Sequence, residues 1–251
     1  MNKAKEMSKR QQLRAQRRRA ETRSQIITLS LISVGALLVA FVLIYSNAKP
    51  AAETAAGAEV AAAKPQSYPQ ADKTSLGDPD APVKMEVFED FQCPACQYYT
   101  EEIESLVIQN LVAAGKVYYV FYNFPFSDGA GAGNGGEADQ AANAAMCASE
   151  QNKFWEMQGT IFANWNGENQ GAYTDIRLTA MAEKAGLDME AFNACFKVNK
   201  YKAEIQADYN YGLTLGVHGT PTIFVNGTSL SPGRVPSYEE IAQAVEAASG
   251  K

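Results

Sequence analysis

Ligands for a tightly bound metal are few in this sequence. The 251 residues include one histidine, His218, and four cysteines, Cys93, Cys96, Cys147 and Cys195. Structural zinc sites use four cysteine or histidine ligands, usually supplied as two closely spaced pairs. Cys93 and Cys96 form the single close pair, so the sequence predicts no zinc site and no other resident metal or cofactor.

Basic residues are scarce beyond the N-terminus. Residues 1–25 hold nine of the 22 lysines and arginines but only two of the 28 acidic residues, so the remainder of the chain is strongly acidic. Nucleic-acid binding needs a basic face that neutralises phosphates. The acidic part of the chain is therefore not expected to bind nucleic acid.

Charge is absent from residues 26–45, which form a long apolar run. A helix of this length spans about 30 Å, the thickness of the hydrocarbon core of a membrane. Core helices are rarely apolar on every face, and a cleaved signal peptide usually has an apolar region of only ~7–15 residues. Small residues follow the run, so cleavage stays open as an alternative. The positive-inside rule predicts a cytoplasmic segment at 1–25, one transmembrane helix at 26–45, and the rest of the chain outside.

Residues 46–74 are rich in alanine, proline and small polar residues and have no apolar period. This composition predicts a linker between membrane and folded domain. Residues 75–251 are then the folded domain, which is long enough to bury a hydrophobic core.

Cys93 and Cys96 lie at a predicted junction between a strand and a helix. Residues 83–88 are partly alternating and rich in β-branched or aromatic side chains, which predicts a strand. After the cysteines, apolar residues recur at helical spacing: Ile103, Leu106, Val107 and Leu111.

This junction favours redox chemistry at Cys93. Pro94 suits the first helical turn, where unpaired N–H groups and the helix dipole stabilise a thiolate. Only a thiolate attacks a disulfide, so we expect Cys93 to be the nucleophile and Cys96, one turn later, to be the resolving thiol. A static structural disulfide between the two is the alternative.

The remaining segments predict a second strand, a helical region and a C-terminal strand and helix. Residues 116–124 read as a strand and residues 137 to about 211 as helices, with an aromatic core at 154–162. The glycines at 131, 133 and 136 match a dinucleotide fingerprint only formally, because no ribose-binding acid follows at the required distance. Thr220-Pro221 precedes a strand, a position that favours a cis peptide bond. A capping box at Ser237–Glu240 opens the last helix.

Three motifs, in this order, resemble the DsbA-like thioredoxin family of bacteria. They are Phe88–Cys96 (FEDFQCPAC), Gln151–Trp155 (QNKFW) and Gly219–Gly227 (GTPTIFVNG). The resemblance covers about residues 75–250. It implies an α/β protein with a thioredoxin fold and a helical subdomain inserted at about 137–211.

The resemblance also implies roles for individual residues. Cys93 would be the exposed nucleophile and Cys96 its buried partner, with Pro94 and Ala95 between them. Pro221 would be a cis-proline against the dithiol, and the backbone of Thr220 would pair with an extended substrate strand.

The sequence departs from the family pattern in two places. Members commonly carry a buried acid six residues before the first cysteine, where this chain has Val87; Glu86, Glu89 and Asp90 are candidate substitutes. The Pro-Ala dipeptide between the cysteines lacks the histidine of strongly oxidising relatives, so we expect a less oxidising couple.

The other two cysteines and the histidine have less certain roles. Because some relatives bridge the helical subdomain, we expect a structural disulfide between Cys147 and Cys195, the alternative being two buried small side chains. His218 precedes the Gly-Thr-Pro motif and could modulate the Cys93 thiolate, or be a surface histidine without a role.

The sequence thus predicts an extracytoplasmic enzyme of the bacterial cytoplasmic membrane that introduces disulfides into exported proteins. By resemblance, its partner would be a quinone-linked membrane protein of DsbB or vitamin K epoxide reductase type. The alternatives are a disulfide reductase or isomerase, a copper-handling protein using both cysteines and His218, and a module that only holds substrates.

Overall fold

The computed structural model describes residues 60–127, 129, 132–133, 135–230 and 233–250. Within these ranges no helix combines the length and apolar character needed to cross a membrane. The predicted cytoplasmic segment at 1–25 and the predicted transmembrane helix at 26–45 lie outside the described residues.

Five strands form one mixed sheet in the order β1-β3-β2-β4-β5. The strands are Ser75–Leu76 (β1), Val83–Glu89 (β2), Val117–Asn123 (β3), Thr222–Val225 (β4) and Thr228–Leu230 (β5). Strands β2 and β3 run parallel, and the other neighbouring pairs are antiparallel. The strands predicted at 83–88 and 116–124 are therefore confirmed within one residue at either end.

The central strand β2 is covered on both faces. All its residues are buried except Lys84, as expected for a strand packed between helical layers. In β3, by contrast, fully buried residues alternate with half-buried ones, the period of two that places successive side chains on opposite faces. The carboxyl end of β2 lies in the middle of the sheet and leads directly into the Cys93 loop.

Helical segments cover both faces of the sheet and form the insertion between β3 and β4. They are Pro94–Tyr99 (α1), Ser105–Val107 (α2), Glu137–Ser149 (α3), Phe154–Ala163 (α4), Asp175–Lys184 (α5), Met189–Phe196 (α6), Lys202–Thr214 (α7) and Tyr238–Ser249 (α8). The insertion α3–α7 ends at 214, three residues beyond the predicted limit. This is the predicted thioredoxin fold interrupted by a helical subdomain.

The helix that follows the cysteines is not a regular α-helix. It is π-helical at Thr100–Glu104 and again at Ile108–Val112. A π turn rotates the faces of a helix relative to those of an α-helix. The α-helical spacing of apolar residues therefore does not predict every buried position in this segment. Ile103, Val107 and Leu111 are buried as predicted, whereas Leu106 is 39% exposed.

The helical insertion is held by its own core and by one disulfide. The aromatic and aliphatic side chains predicted as its core, from Phe154 to Phe162, are buried. Cys147 in α3 and Cys195 in α6 are bonded, with their Cα atoms 5.8 Å apart. The capping box predicted at Ser237 and Glu240 is formed, and α8 begins at Tyr238.

The second half of the predicted linker lies against the domain, which differs from the sequence expectation. We call residues 61–68 the strap. The backbone of Ala61 exchanges two hydrogen bonds with the Asn164 side chain, at 3.0 and 2.8 Å. Ala63 N donates to Thr160 Oγ1 at 3.3 Å, and Tyr68 stacks on Trp155. Polar side chains of α4 satisfy the backbone of the strap, so an alanine-rich segment is ordered without an apolar period.

Candidate active site

The loop between β2 and α1 is fixed by a buried carboxylate. Asp90 is 1% exposed, and its Oδ1 accepts a hydrogen bond from Gln92 N at 2.8 Å. Its Oδ2 accepts from Phe126 N at 2.9 Å and Ser127 N at 2.8 Å. Asp90 thus joins the cysteine loop to the segment after β3, which is a positioning task.

The helical insertion also holds this loop in place. Trp165 Nε1 donates to the carbonyl of Gln92 at 2.8 Å, and the Tyr173 hydroxyl donates to the carbonyl of Phe91 at 3.0 Å. Both carbonyls precede Cys93 directly. The dithiol therefore lies where the sheet domain and the insertion meet.

Cys93 occupies the N-cap position of α1, and Pro94 follows at the first helical position. The family resemblance implied an exposed Cys93, which is wrong for this chain: only 7% of the residue is exposed, because the Thr220–Pro221 segment covers it. Its Sγ lies 3.3 Å from the carbonyl oxygen of Thr220, and the Thr220–Pro221 peptide bond is cis. The sequence-predicted residues Cys93, Pro94, Thr220 and Pro221 are thus brought together.

Hydrogen bonds lower the pKa of Cys93 from 9.0 to about 6. The largest contribution is the hydrogen bond from the Cys96 thiol; Thr220 and the backbone N–H groups of Ala95 and Cys96 add to it, and burial opposes it. Among the described residues, Oγ1 of Thr220 is buried without a hydrogen-bond partner. Its hydroxyl is therefore available to donate to a Cys93 thiolate.

Cys96 has the opposite electrostatic environment although it lies only one turn away. The residue is fully buried, and burial raises the pKa of its thiol well above 9.0. The hydrogen bond with Cys93 and the charge of Glu89 raise the pKa further. At neutral pH the structure thus favours a thiolate at Cys93 and a thiol at Cys96.

The structure distinguishes between the three acids, Glu86, Glu89 and Asp90, that the sequence offers as substitutes for the buried acid missing at Val87. Val87 is fully buried in the core, and Glu89 shares its face of β2 because the two are two residues apart. Glu86 points elsewhere, accepting from the Tyr211 hydroxyl at 3.0 Å, and Asp90 holds the loop. Glu89 alone of the three interacts with both cysteines.

Glu89 is buried with little compensation. Burial, followed by the charges of Glu104 and Cys93, raises the pKa of its carboxyl well above 4.5. Its Oε2 accepts a long 3.4 Å hydrogen bond from Thr100 Oγ1. Among the described residues, its Oε1 has no hydrogen-bond partner. This environment favours the protonated, neutral form of the Glu89 carboxyl.

Glu104 is a second buried acid, which the sequence reading missed. It accepts from the Tyr119 hydroxyl at 2.8 Å and from Gln158 Nε2 at 3.2 and 3.1 Å. Burial raises its pKa to about 7, and these hydrogen bonds limit the increase. Helical spacing gave no signal for Glu104, because its inward direction depends on the π turn that ends with it.

An open groove of about 360 Å³ runs beside the dithiol. Its lining includes Ala95, His218, Thr220, Pro221 and Arg234. His218 is exposed on the rim of this groove. Three of the four residues predicted to bind substrate, Ala95, Thr220 and Pro221, line this groove, and Pro94 does not.

Comparison with known proteins agrees with this geometry. A family model described as Thioredoxin matches residues 70–247. A probable disulfide bond formation protein D from Bacillus cereus is 31% identical over 160 residues, which are 63% of this chain and 72% of that protein.

Solved structures share the fold at lower identity. The oxidised form of BdbD from Bacillus subtilis has a TM-score of 0.63 at 21% identity, covering 76% of this chain and all of that one. DsbA from Chlamydia trachomatis has a TM-score of 0.60 at 20% identity, covering 69% and 90%. The chain therefore belongs to the thioredoxin family, as a DsbA-like protein thiol–disulfide oxidoreductase.

Proposed function

We propose that this enzyme works outside the cytoplasm and introduces disulfides into exported proteins, with Cys93 and Cys96 as its redox pair. The observation that carries the proposal is the opposite perturbation of the two sulfurs, with the pKa of Cys93 lowered to about 6 and that of Cys96 raised. Stabilising one thiolate stabilises the reduced enzyme, and this makes the disulfide form an oxidant. The Bacillus cereus relative, named for disulfide bond formation, supports this direction.

The oxidising strength should be intermediate. Thioredoxin, a reductant, has a nucleophile of pKa about 7, and DsbA, a strong oxidant, one of about 3.5. Cys93, at about 6, lies between them. The Pro-Ala dipeptide lacks a histidine that could stabilise the thiolate further, which is the sequence feature behind the expected weaker couple.

The reaction proceeds by two thiol–disulfide exchanges. In the oxidised enzyme, a substrate thiolate attacks Sγ of Cys93; a bond forms between these sulfurs, the Cys93–Cys96 bond breaks, and its electron pair goes to Cys96. A second substrate thiolate then attacks the substrate sulfur of this mixed disulfide and releases Cys93 as a thiolate. The substrate loses two electrons as its disulfide forms, and the enzyme gains them as its dithiol.

Glu89 handles the proton of Cys96 in this scheme. Cys96 is too deeply buried to remain a thiolate once the disulfide opens, and the neutral Glu89 carboxyl beside it donates the proton. On re-oxidation the transfer reverses. When Cys93 enters a mixed disulfide it loses its negative charge, which lowers the pKa of Glu89 and makes its carboxylate available as a base.

Substrate binds as an extended peptide along the groove. The backbone of Thr220 pairs with the strand that carries the substrate cysteine, and Pro221 and Ala95 contact its side chains. His218 lies on the rim of this groove and modulates the Cys93 thiolate. Cysteine-containing exported chains are the substrates.

Residues 26–45 anchor the enzyme in the cytoplasmic membrane, with residues 1–25 in the cytoplasm. A quinone-linked membrane protein, of the DsbB or vitamin K epoxide reductase type, re-oxidises the dithiol. Both assignments are supported by the apolar run, by the basic N-terminus and by the DsbA-like family.

Trapping with a resolving-cysteine variant tests the assigned roles. In cells, Cys96→Ser should accumulate mixed disulfides between Cys93 and exported proteins, seen as reducible bands on non-reducing gels. Cys93→Ser, the matched control at the other sulfur, should give none. Adducts on Cys93→Ser, or none on Cys96→Ser, would refute the division of labour.

The direction of electron flow requires the resting state of the wild-type enzyme. Acid quenching of growing cells followed by thiol alkylation should find the Cys93–Cys96 pair mainly oxidised. A pair that rests reduced would replace the oxidase with the reductase or isomerase alternative.

A further inference from the structure

Glu89 and Glu104 form a buried acid pair behind the dithiol. The charge of Glu104 is among the largest influences on the carboxyl of Glu89, and both residues are at most 3% exposed. Glu104 receives three hydrogen-bond contacts from Tyr119 and Gln158, whereas Glu89 receives a long hydrogen bond from Thr100 and a weaker contribution from the Cys96 thiol. The negative charge of a singly protonated pair therefore resides on Glu104 and the proton on Glu89.

The π turn connects this pair to a second face of the domain. Thr100 begins the turn and Glu104 ends it. The Thr100 hydroxyl donates to Glu89, and both Thr100 and Glu104 line a cavity of about 210 Å³ that shares no lining residue with the substrate groove. One helical turn thus contacts both the buried acid and the cavity. π turns of this kind often mark functional sites.

The strap forms one wall of this cavity. Ala63, Lys64, Pro65, Gln66 and Tyr68 line it opposite the helix. The strap approaches α4 closely at Gly159, where an added Cβ would lie 3.0 Å from Cβ of Ala63. A side chain at 159 would lift the strap, so the missing side chain keeps the cavity covered.

We propose that Thr100, Glu104 and this cavity are the route by which Glu89 exchanges its proton with solvent, with the strap as its cover. The inference rests on the proposed proton transfer between Cys96 and Glu89. During re-oxidation Cys96 gives its proton to Glu89 as its sulfur closes the disulfide, and the proton leaves by this route to water in the cavity. During substrate oxidation a proton returns the same way. Glu104 acts through Glu89 and is a positioning residue.

The groups that face the acid pair define its titration. They are Cys93 and Cys96 from the loop and α1, Tyr99 from α1, Tyr119 from β3 and Tyr68 from the strap, with Lys64 and Glu101 at the cavity. Burial raises the pKa of all three tyrosines above 10. Near neutral pH, Glu104, with a pKa of about 7, and Cys93, with a pKa of about 6, are therefore the groups that change charge.

The test follows disulfide closure in the full-length protein. Reduced enzyme is mixed with a model disulfide, and samples quenched with acid give separate rates for mixed-disulfide formation on Cys93 and for its closure by Cys96. Glu104→Gln should leave the rate of mixed-disulfide formation unchanged, because Glu104 is not among the main influences on the Cys93 sulfur. At high pH, where the closure rate no longer changes with pH, the plateau rate should fall by about tenfold. This loss is smaller than the 10²–10⁴-fold loss in rate expected when the general acid–base group itself is removed.

The pH profile distinguishes a proton route from a structural role. Removing the charge of Glu104 lowers the pKa of Glu89, so the acidic midpoint of closure should move to lower pH. Thr100→Val, which keeps the shape and removes the hydroxyl, should also slow the plateau. Glu102→Gln removes an exposed charge on the same turn and serves as the control. Its plateau rate and its acidic midpoint of closure should both match those of the wild type.

Lifting the strap gives an independent readout. In Gly159→Leu, checked for folding by circular dichroism, solvent should reach Glu104 and move the closure midpoint to lower pH with the plateau retained. The proposal is overturned if Glu104→Gln and Thr100→Val close as fast as Glu102→Gln, or if Gly159→Leu leaves the midpoint in place. Absence of any mixed disulfide in the wild type would instead refute the proposed function.

Discussion

Cys93 and Cys96 are chemically identical residues that the fold makes different. Cys93 ends a loop and begins a helix, where N–H donors and a neighbouring thiol surround its sulfur. Cys96 lies one turn inside, against the sheet and a buried acid. Position along a single helical turn therefore separates nucleophile from resolving thiol.

The charge of Cys93 should appear in the stability of the enzyme. Its pKa is depressed from 9.0 in the unfolded chain to about 6 in the folded one. The stabilisation of the reduced form is therefore fully present above about pH 9 and is lost as pH falls to about 6. The difference in melting temperature, reduced minus oxidised, should rise between these values, as measured by thermal denaturation.

Cys93→Ser provides the control for this prediction. This variant has no thiolate at position 93. Its melting temperature, relative to that of the oxidised wild type, should therefore not rise between pH 6 and 9 as that of the reduced wild type does. Cys96 has a folded pKa well above its unfolded value of 9.0, so it opposes this rise only near pH 9, where the unfolded thiol begins to lose its proton. A difference between reduced and oxidised wild type that stays constant from pH 6 to 9 would contradict the stabilised thiolate.

The sequence predicted some site residues and left others open for physical reasons. The cysteines and Pro221 belong to motifs whose spacing carries their chemistry. Glu89 could not be chosen over its neighbouring acids, because strand faces are assigned only once the register is known. Glu104 was missed because regular helical spacing does not describe a π turn.

At the scale of elements, the disulfide between α3 and α6 staples the helical insertion. Cys147 and Cys195 are 48 residues apart in sequence, and closing a loop of that size restricts the unfolded chain. The bond lies within the insertion, while the redox pair lies at the junction with the sheet domain. It is therefore expected to support structure and to take no part in exchange.

Removing this disulfide should lower the stability of the domain and leave thiol–disulfide exchange at Cys93 unchanged. The double variant Cys147→Ala/Cys195→Ala should lose about 2–4 kcal/mol of unfolding free energy, measured by urea denaturation. Its rate of mixed-disulfide formation on Cys93 should remain within twofold of wild type. A large loss of exchange in the folded variant would show that the insertion disulfide participates in catalysis.

At the scale of the whole molecule, the chain should remain attached to the membrane through residues 26–45. Full-length protein should stay in the membrane fraction after washing with high salt or alkaline carbonate, since an apolar span is not held by charge. Protease added outside spheroplasts should digest the catalytic domain while a tag at residue 1 survives. Release of the domain with a new N-terminus between 46 and 60 would establish the signal-peptide alternative.

The strap packs in a defined position against the domain, and amino-acid composition alone does not predict this contact. Its three alanines and one proline have the composition of a linker, and no periodicity marks them as part of the domain. Docking depends on partners about a hundred residues away, including the amide of Asn164 and the missing side chain of Gly159. Such complementarity arises only after folding, so the sequence predicted the sheet and insertion but not this contact.

The recess around Cys93 limits when the enzyme can act. With 7% of the residue accessible, its sulfur is reached only by a cysteine that protrudes from a pliable stretch of chain. A finished globule, whose cysteines sit on a convex and rigid surface, cannot insert one. We therefore expect substrates to react early, while they emerge from the export machinery and are still unfolded. Once they have folded, they should no longer react with the enzyme.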